Sequence, residues 1–238
     1  METNLLHFRN PWVPPALSLL FPGCGHISLG RYGSGFLFII WEIIINVKAH
    51  LNTAILYSLT GRFEMAGRVL DTRWLLLYAA VFAYAAWDSH RSAVDLNKLS
   101  ILAERGKSPI VPLRMDAFEI NYLAGKTPWI TVAWSLLTPG LGHLYAHRLP
   151  AGFFILAWWV VINYYSHFSQ SFLYTFLGAF AQATASANPQ WLLFMPSLYG
   201  FAIYDSYANA SEQNKLLARE LLEYLTDNYH NTGFAMPV

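Results

Sequence analysis

The fold is decided by a stretch of sequence that occurs twice. PWVPPALSLLFPGCGH runs from Pro11 to His26, and PWITVAWSLLTPGLGH runs from Pro128 to His143. Both copies contain the pattern SLLxPGxGH, and the second copy begins 117 residues after the first. Because self-similarity at a fixed offset marks a repeated structural unit, the sequence predicts a tandem duplication.

The similarity continues beyond the motif without a gap. The same offset superposes six further pairs: Arg31 on Arg148, Gly35 on Gly152, Trp41 on Trp158, Asn46 on Asn163, His50 on His167, and Asp88 on Asp205. We therefore expect a first membrane repeat over residues 1–110, a linker over 111–127 and a second membrane repeat over 128–238.

The composition predicts an integral membrane protein. Of the 238 residues, 55% are hydrophobic and only 12% are charged, whereas an average soluble domain has about 25% charged residues. Aromatic residues make up 16%, which suits a chain with many rings at a lipid–water boundary. The net charge of +1 provides no basic field for nucleic acid, so we expect the lipid bilayer as a partner and no nucleic acid.

Each unit opens with an apolar segment that is too short to cross a bilayer. Val13 to Phe21 and Ile130 to Thr138 have nine residues each and stop at Pro-Gly. As helices they would be about 14 Å long, against about 30 Å of hydrocarbon. We expect each to be a short re-entrant or broken helix.

Two longer apolar segments follow in each unit. Ser34 to about His50 and Ala151 to about Leu173 are long enough to span the membrane. Trp74 to Trp87 and Trp191 to Tyr204 are shorter, and they end at Asp88 and Asp205, as expected of an interfacial boundary. The predicted fold is therefore an all-α polytopic membrane protein with two spanning helices in each repeat.

The distribution of Lys and Arg predicts the topology. If the nine-residue segments turn back, eleven Lys and Arg residues lie on the side of both termini and the linker, and four lie on the opposite side. If those segments cross the membrane, the bias disappears. By the positive-inside rule we expect a multi-pass protein of the plasma (inner) membrane with both termini cytoplasmic. An even number of crossings in each repeat predicts a pseudo-two-fold axis along the membrane normal.

A charged amphipathic stretch follows the last span of each unit. Arg91 to Glu104 and Ser211 to Leu225 place most of their leucines on one side of a helix. We expect cytoplasmic amphipathic helices that lie along the interface, pair with each other, or dock a membrane or cytoplasmic protein partner.

The motif carries two polar pairs with two interpretations. His26 is followed by Arg31, and His143 by Arg148. Freed backbone amides at a helix break, together with His and Arg, can hold a lipid phosphate. In the alternative interpretation the Pro-Gly turn is a packing corner, and Arg reaches the headgroups with its long side chain.

Polar residues inside the apolar segments form a second set of candidates. Glu42 and Asn46 are one helical turn apart, and Asn163 is the counterpart of Asn46. They indicate either a proton or cation path continued by His50, or a hydrogen bond that holds the helices together.

Catalytic and metal chemistry has weak support in the sequence. His26, His143, Asp88 and Asp205 would form a metal site only if the fold brought them together. The chain has no HExxH motif, nucleotide-binding glycine loop or nucleophile elbow. We expect no catalytic residue, no metal and no cofactor.

The motif resembles a known family. FPGCGHISLGR (Phe21–Arg31) and TPGLGHLYAHR (Thr138–Arg148), with Trp87-Asp88 and Tyr204-Asp205 further along, are similar to the pattern FLGxxGxHxFYxGR with a later Trp and Asp. That pattern is typical of the two-transmembrane-helix domain family. His147 departs from it, because it stands where the first copy has Gly30. The resemblance implies an architecture rather than an activity.

These observations favour a non-enzymatic membrane protein that organises lipid or partner proteins through a duplicated helical module. A small transporter or channel, with its site at the pseudo-two-fold interface, is the second interpretation. A membrane-embedded metal-dependent enzyme is the third.

Overall fold

The computed structural model describes residues 8–106, 113–116, 119–122 and 124–229, and it is almost entirely helical. The helices before the linker are α1 (Val13–Leu20), α2 (Cys24–Ser28), α3 (Tyr32–Ala49), α4 (Leu51–Leu59), α5 (Phe63–Val69) and α6 (Thr72–Arg105). Those after it are α7 (Pro128–Leu137), α8 (Leu141–Tyr145), α9 (Leu149–Ser166), α10 (Phe168–Phe176), α11 (Phe180–Ser186), α12 (Pro189–Leu192) and α13 (Phe194–Tyr229). Helices α8 to α11 begin and end 117 residues after α2 to α5.

Within the residues that the structure describes, two helices are long and apolar enough to cross a membrane. This confirms a helical protein with apolar spanning candidates, but not the two spanning helices that the sequence predicts in each repeat. The two helices are α3 and α9, of 18 residues each, or about 27 Å. Helices α5 and α6 together would also be long and apolar enough to form one span, but the chain bends by 90° at the break between them.

The second apolar segment is shorter in the second unit than the sequence predicts. It was expected to continue to about Leu173, but α9 ends at Ser166 because His167 adopts a left-handed conformation with φ of 55°. His50 ends α3 in the same way, with φ of 53°. A left-handed residue at this point stops the helical hydrogen-bond ladder.

The predicted third segment and the amphipathic stretch form one continuous helix in the first unit. Helix α6 has 34 residues, so it is about 51 Å long. Helix α13, of 36 residues, likewise combines most of the corresponding segments. Asp88 and Asp205 therefore lie within long helices and do not mark helix ends.

The linker contains a small hairpin that the sequence did not predict. Strand β1 (Leu113–Asp116) pairs antiparallel with β2 (Glu119–Tyr122), with Asp116 opposite Glu119. Both strands alternate apolar and polar residues, but four-residue runs are at the lower limit of length at which such alternation indicates a strand.

The chain reverses its direction at the first Pro-Gly. Gly25 of α2 lies against the carbonyl oxygen of Pro14 and the hydroxyl of Ser18 in α1. Helix α2 therefore packs beside the beginning of α1, and the reversal occurs between Leu20 and Cys24. Pro14 and Pro15 occupy the start of α1, where a missing backbone N–H costs no hydrogen bond.

The main apolar core lies between the two units. The first unit contributes a surface that we call the α1–α3 face: Leu17, Phe21, Cys24, Ile27, Ile39 and Ile43. The second unit contributes the α9–α13 face: Ala151, Ile155, Ile162, Phe194, Leu198 and Phe201. The two surfaces differ, although each includes one of the helices α3 and α9, which match at the 117-residue offset.

Candidate functional site: two histidine–aspartate–arginine clusters

Glycines of the repeated motif are required by close backbone contacts. Gly23 and Gly140 have φ of +98° and +103°, in the left-handed region that favours glycine. A Cβ atom at Gly140 would lie 2.6 Å from the carbonyl oxygen of Gly152, and one at Gly23 would overlap the carbonyl oxygen of Gly35. The Pro-Gly turn therefore fixes the break against the beginning of the following helix.

This turn places each motif histidine against an aspartate of the unit's long helix. The Nε2 of His26 lies 3.1 Å from Oδ2 of Asp88. The Nε2 of His143 lies 3.0 Å from Oδ2 of Asp205. Both histidine side chains are fully buried. The structure therefore pairs each histidine with the aspartate of its own unit and does not bring the four residues together.

Hydrogen bonding indicates how each histidine is protonated. Within the part of the chain that the structure describes, Nδ1 of His26 and Nδ1 of His143 have no hydrogen-bond partner. A neutral imidazole that donates from Nε2 leaves only an acceptor unpaired, whereas a protonated ring would bury an unpaired N–H. The geometry therefore favours a neutral histidine that donates to an ionised aspartate.

The motif arginine completes each cluster. In the first unit Arg31 donates to Asp88 at 3.2 Å and also to the hydroxyl of Ser92. Arg91 adds a second cation, 3.1 Å from the other oxygen of Asp88. In the second unit Arg148 donates to Asp205. We call these groups the first cluster (His26, Arg31, Asp88) and the second cluster (His143, Arg148, Asp205).

The two clusters differ in exposure. The side chain of Arg31 is 41% exposed, whereas that of Arg148 is 3% exposed. Arg148 is covered by the first unit: it donates to the carbonyl oxygen of Ile27 at 2.8 Å and to the hydroxyl of Tyr32 at 3.3 Å. The second cluster is therefore part of the interface between the units, whereas in the first cluster the arginine is exposed and His26 and Asp88 are buried.

Arg9 also enters the interface, which no pattern in the sequence predicts. It donates to the carbonyl oxygen of Ser28 and, at 3.4 Å, to the side-chain oxygen of Asn209. Burial lowers the pKa of Arg9 to about 10, although the negative charge of Asp205 opposes this shift. No motif marks Arg9 in the sequence, because its position depends on how the two units pack.

One asparagine in each long helix forms hydrogen bonds with the backbone just before the motif. The backbone of Arg9 exchanges two hydrogen bonds with the side chain of Asn97, at 2.9 and 2.7 Å. The backbone of Lys126 does the same with Asn214, at 2.8 and 2.6 Å. These contacts hold the entry to α1 and α7 against the long helix of the same unit. In the sequence, these contacts could have been found from the match of Asn97 to Asn214 at the 117-residue offset.

Two of the polar candidates in the apolar segments, Glu42 and Asn46, form a buried network at the other end of the interface. Asn46 donates to Glu42 at 3.0 Å and to Asn52 at 3.1 Å. Gln190 of α12 donates to the side-chain oxygen of Asn46 at 2.9 Å. The network thus leads to the second unit.

His50 and Asn163 lie outside this network. His50 is exposed at the turn between α3 and α4. Asn163 accepts hydrogen bonds from the backbone and the hydroxyl of Ser169, within its own unit. The two counterpart asparagines therefore have different roles in the structure.

An open cleft adjoins the first cluster. It has a volume of about 320 Å³, and its walls include Arg31, Leu37, Phe38, Tyr84, Asp88 and Arg91. Within the described ranges, no group of three or more His, Cys, Asp or Glu residues is arranged to hold a metal ion. The cleft offers two cations and one carboxylate beside an apolar wall.

Searches against family models, curated proteins and solved structures found no match to this chain.

Proposed function

We propose that this protein is a non-enzymatic integral membrane scaffold that organises partner proteins or lipid at its cytoplasmic face. In this proposal α3, α6, α9 and α13 cross the membrane, and the α1–α2 and α7–α8 pairs are re-entrant. Both termini and the linker are cytoplasmic, in accord with the eleven-to-four distribution of Lys and Arg.

The duplication is part of the proposal, and three observations support it. Four consecutive helices recur with both bounds shifted by 117 residues. The histidine–aspartate pair recurs at the same offset, as does the asparagine contact before each motif. A remote relationship to the two-transmembrane-helix domain family remains a proposal that rests on the motif alone.

The main support for a scaffold is that the motif side chains bond to groups inside the protein itself. Each histidine is buried against its aspartate, and Arg148 is enclosed by the first unit. These groups hold the broken helices in place and present no open reactive pair. Of the four residues expected to bind lipid phosphate, Arg31 is the one whose side chain reaches an open cleft.

The long helices provide a surface for partners. A bilayer core of about 30 Å takes up about 20 helical residues, so α6 and α13 extend well beyond it. Their ends present exposed leucines, including Leu102 and Leu222. The two ends also approach each other, because Nη1 of Arg219 in α13 lies 3.7 Å from Oε1 of Glu104 in α6. Charged helices with an apolar side are suited to docking a protein or a membrane surface.

Two measurements test this proposal. Purified protein in liposomes should show no flux of protons, potassium or chloride above that of empty liposomes. In cells, the double variant Leu102→Ser/Leu222→Ser should lose at least half of the neighbours found by proximity labelling from the C-terminus. Leu59→Ser is the control, because Leu59 is an even more exposed leucine, on α4.

Two results would contradict the scaffold. One is a flux that disappears in the His26→Ala/His143→Ala variant while the protein stays folded, which would establish a transporter. The other is a labelling pattern that is identical in the wild type and the double variant.

A further inference from the structure

The interface between the two units joins unlike faces of the same repeat. The first unit contributes its α1–α3 face and the second its α9–α13 face. A two-fold axis would require each contact to occur twice with the units exchanged. Among the described residues the contacts of Arg148 with Ile27 and Tyr32 occur once, because Arg31 bonds only within its own unit. The observed packing therefore differs from the pseudo-two-fold arrangement expected from the sequence.

Each unit consequently retains one face that is only partly covered, although some of its residues, such as Phe38 and Ile45, are buried. The repeat counterparts of the α1–α3 face lie in the second unit, and they include Trp134, Leu144 and Val160. The counterparts of the α9–α13 face lie in the first unit, and they include Leu77 and Tyr84. Val160, Leu77 and Tyr84 are each more than 50% exposed, whereas their counterparts Ile43, Phe194 and Phe201 are at most 3% exposed.

The open cleft occupies the position at which the second unit receives the first. Its walls Arg31, Leu37, Phe38 and Tyr84 are the counterparts of Arg148, Phe154, Ile155 and Phe201. In the second unit Arg148 is covered by Ile27 and Tyr32, and Phe154 stacks on Phe36 with ring centroids 3.9 Å apart. The cleft therefore corresponds to a surface that the first unit covers on the second unit, but none of the residues that the structure describes covers the cleft.

The segment that would fill the cleft also exists in the chain. The counterparts of Ile27, Tyr32 and Phe36 are Leu144, Leu149 and Phe153. Phe153 is 60% exposed, and Leu37, the residue that it would contact in the cleft, is 64% exposed. An exposed aromatic residue and an exposed leucine thus lie at the two positions that would meet.

We propose that the cleft of one molecule receives the α8–α9 segment of a second copy, head to tail. Arg31 then donates to the carbonyl oxygen of Leu144 in the second copy, as Arg148 donates to that of Ile27. The proposal deepens the scaffold function and rests on it, because it names the partner as the protein itself. A head-to-tail interface generates a closed ring when its rotation closes and an open filament when it does not.

Disulfide cross-linking in native membranes tests the pairing. Two differently tagged full-length copies are co-expressed, one with Leu37→Cys and the other with Phe153→Cys. Both side chains are exposed, so neither substitution removes a buried contact. We expect a mixed disulfide dimer at least fivefold above the wild type, whose only cysteine, Cys24, is buried.

The same-residue pairs are the controls for geometry. Leu37→Cys on both copies, or Phe153→Cys on both copies, should give little cross-linking. Same-residue dimers that equal or exceed the mixed dimer would overturn the proposal in favour of a symmetric dimer.

Arg31 provides the second test. Arg31→Ala should reduce the mixed cross-link at least threefold, whereas Arg91→Ala, which removes a cation on the other side of Asp88, should reduce it less. Absence of the mixed cross-link, with phosphatidylglycerol retained by the wild type and lost in Arg31→Ala in native mass spectrometry, would overturn the proposal and make lipid the occupant.

Failure of this inference is distinguishable from failure of the scaffold function. A missing cross-link leaves the proximity-labelling result unaffected. Flux in liposomes contradicts the scaffold whether or not the copies cross-link.

Discussion

At the scale of single residues, Asp88 and Asp205 lie 117 residues apart and are both buried, but the burial of their arginine partners differs. Asp205 lies among His143, the buried Arg148 and Arg9, whereas Asp88 is paired with two arginines whose side chains are 41% and 56% exposed. Water can replace the lost partner of an exposed arginine but not that of a buried one.

We therefore predict a large difference between Asp205→Asn and Asp88→Asn. Removing one partner of a buried ion pair costs about 3–5 kcal/mol, so Asp205→Asn should lower the free energy of unfolding by that amount. Asp88→Asn should lower it by less than half as much. Denaturant titration in mixed micelles measures both. Equal losses of unfolding free energy would contradict the difference in burial between Arg148 and the arginines that pair with Asp88.

His147 provides a second prediction at this scale. It has φ of 59°, where the first unit has Gly30 with φ of 73°. A left-handed conformation costs a non-glycine residue about 1–2 kcal/mol, while glycine adds about 0.5–1 kcal/mol of backbone entropy loss. His147→Gly should thus stabilise the protein by up to about 1 kcal/mol, and the reciprocal Gly30→His should destabilise it. A lower melting temperature for His147→Gly would show that its side chain stabilises the turn.

Part of the site was predictable from single residues. The repeat offset identified His26, Arg31 and Asp88 with their counterparts, because identical residues recur at 117-residue spacing. The sequence did not show that Arg148 is enclosed and Arg31 open, because that difference arises only when the first unit packs on the second. Arg9, Tyr32 and Gln190 were missed for the same reason.

At the scale of elements, small residues determine how closely the two halves of each broken helix pack. Gly142 of α8 lies against the hydroxyl of Ser135 and the carbonyl oxygen of Thr131 in α7. This is the same contact that Gly25 makes with α1. An added methyl group at either glycine would overlap backbone atoms.

Gly142→Ala and Gly25→Ala should each destabilise the fold by about 2 kcal/mol or more, because overpacking against backbone is poorly relieved. Gly67→Ala is the matched control: Gly67 lies within a helix, and nothing lies near the added methyl group. It should be neutral or stabilise by up to about 1 kcal/mol. Thermal unfolding followed by tryptophan fluorescence measures all three, and similar effects for them would contradict the close packing of α7 and α8.

The elements themselves were predictable where apolar runs are long. The runs that became α3 and α9 are long and contain few polar residues, among them Glu42, Asn46 and Asn163, so their lengths predicted spanning candidates. The continuity of α6 was missed because Asp88 was interpreted as the end of a span. In the structure Asp88 is satisfied by His26 and Arg31, so the helix continues through the charged residue.

At the scale of the whole molecule, the proposed topology follows from the reversal of the chain between α1 and α2. If the short helices turn back, the N-terminal segment and the linker share one side of the membrane. The sidedness of the protein and the cytoplasmic position of its long-helix ends thus depend on the re-entrant turn.

Cysteine labelling in intact and permeabilised cells tests the re-entrant turn most directly. Single cysteines replace Phe8, Ser108 and Ser186, with the unsubstituted protein as the background for buried Cys24. If the short helices turn back, a membrane-impermeant maleimide labels position 186 in intact cells, and labels positions 8 and 108 only after permeabilisation. Labelling of positions 8 and 108 from opposite sides of the membrane would contradict the re-entrant turn.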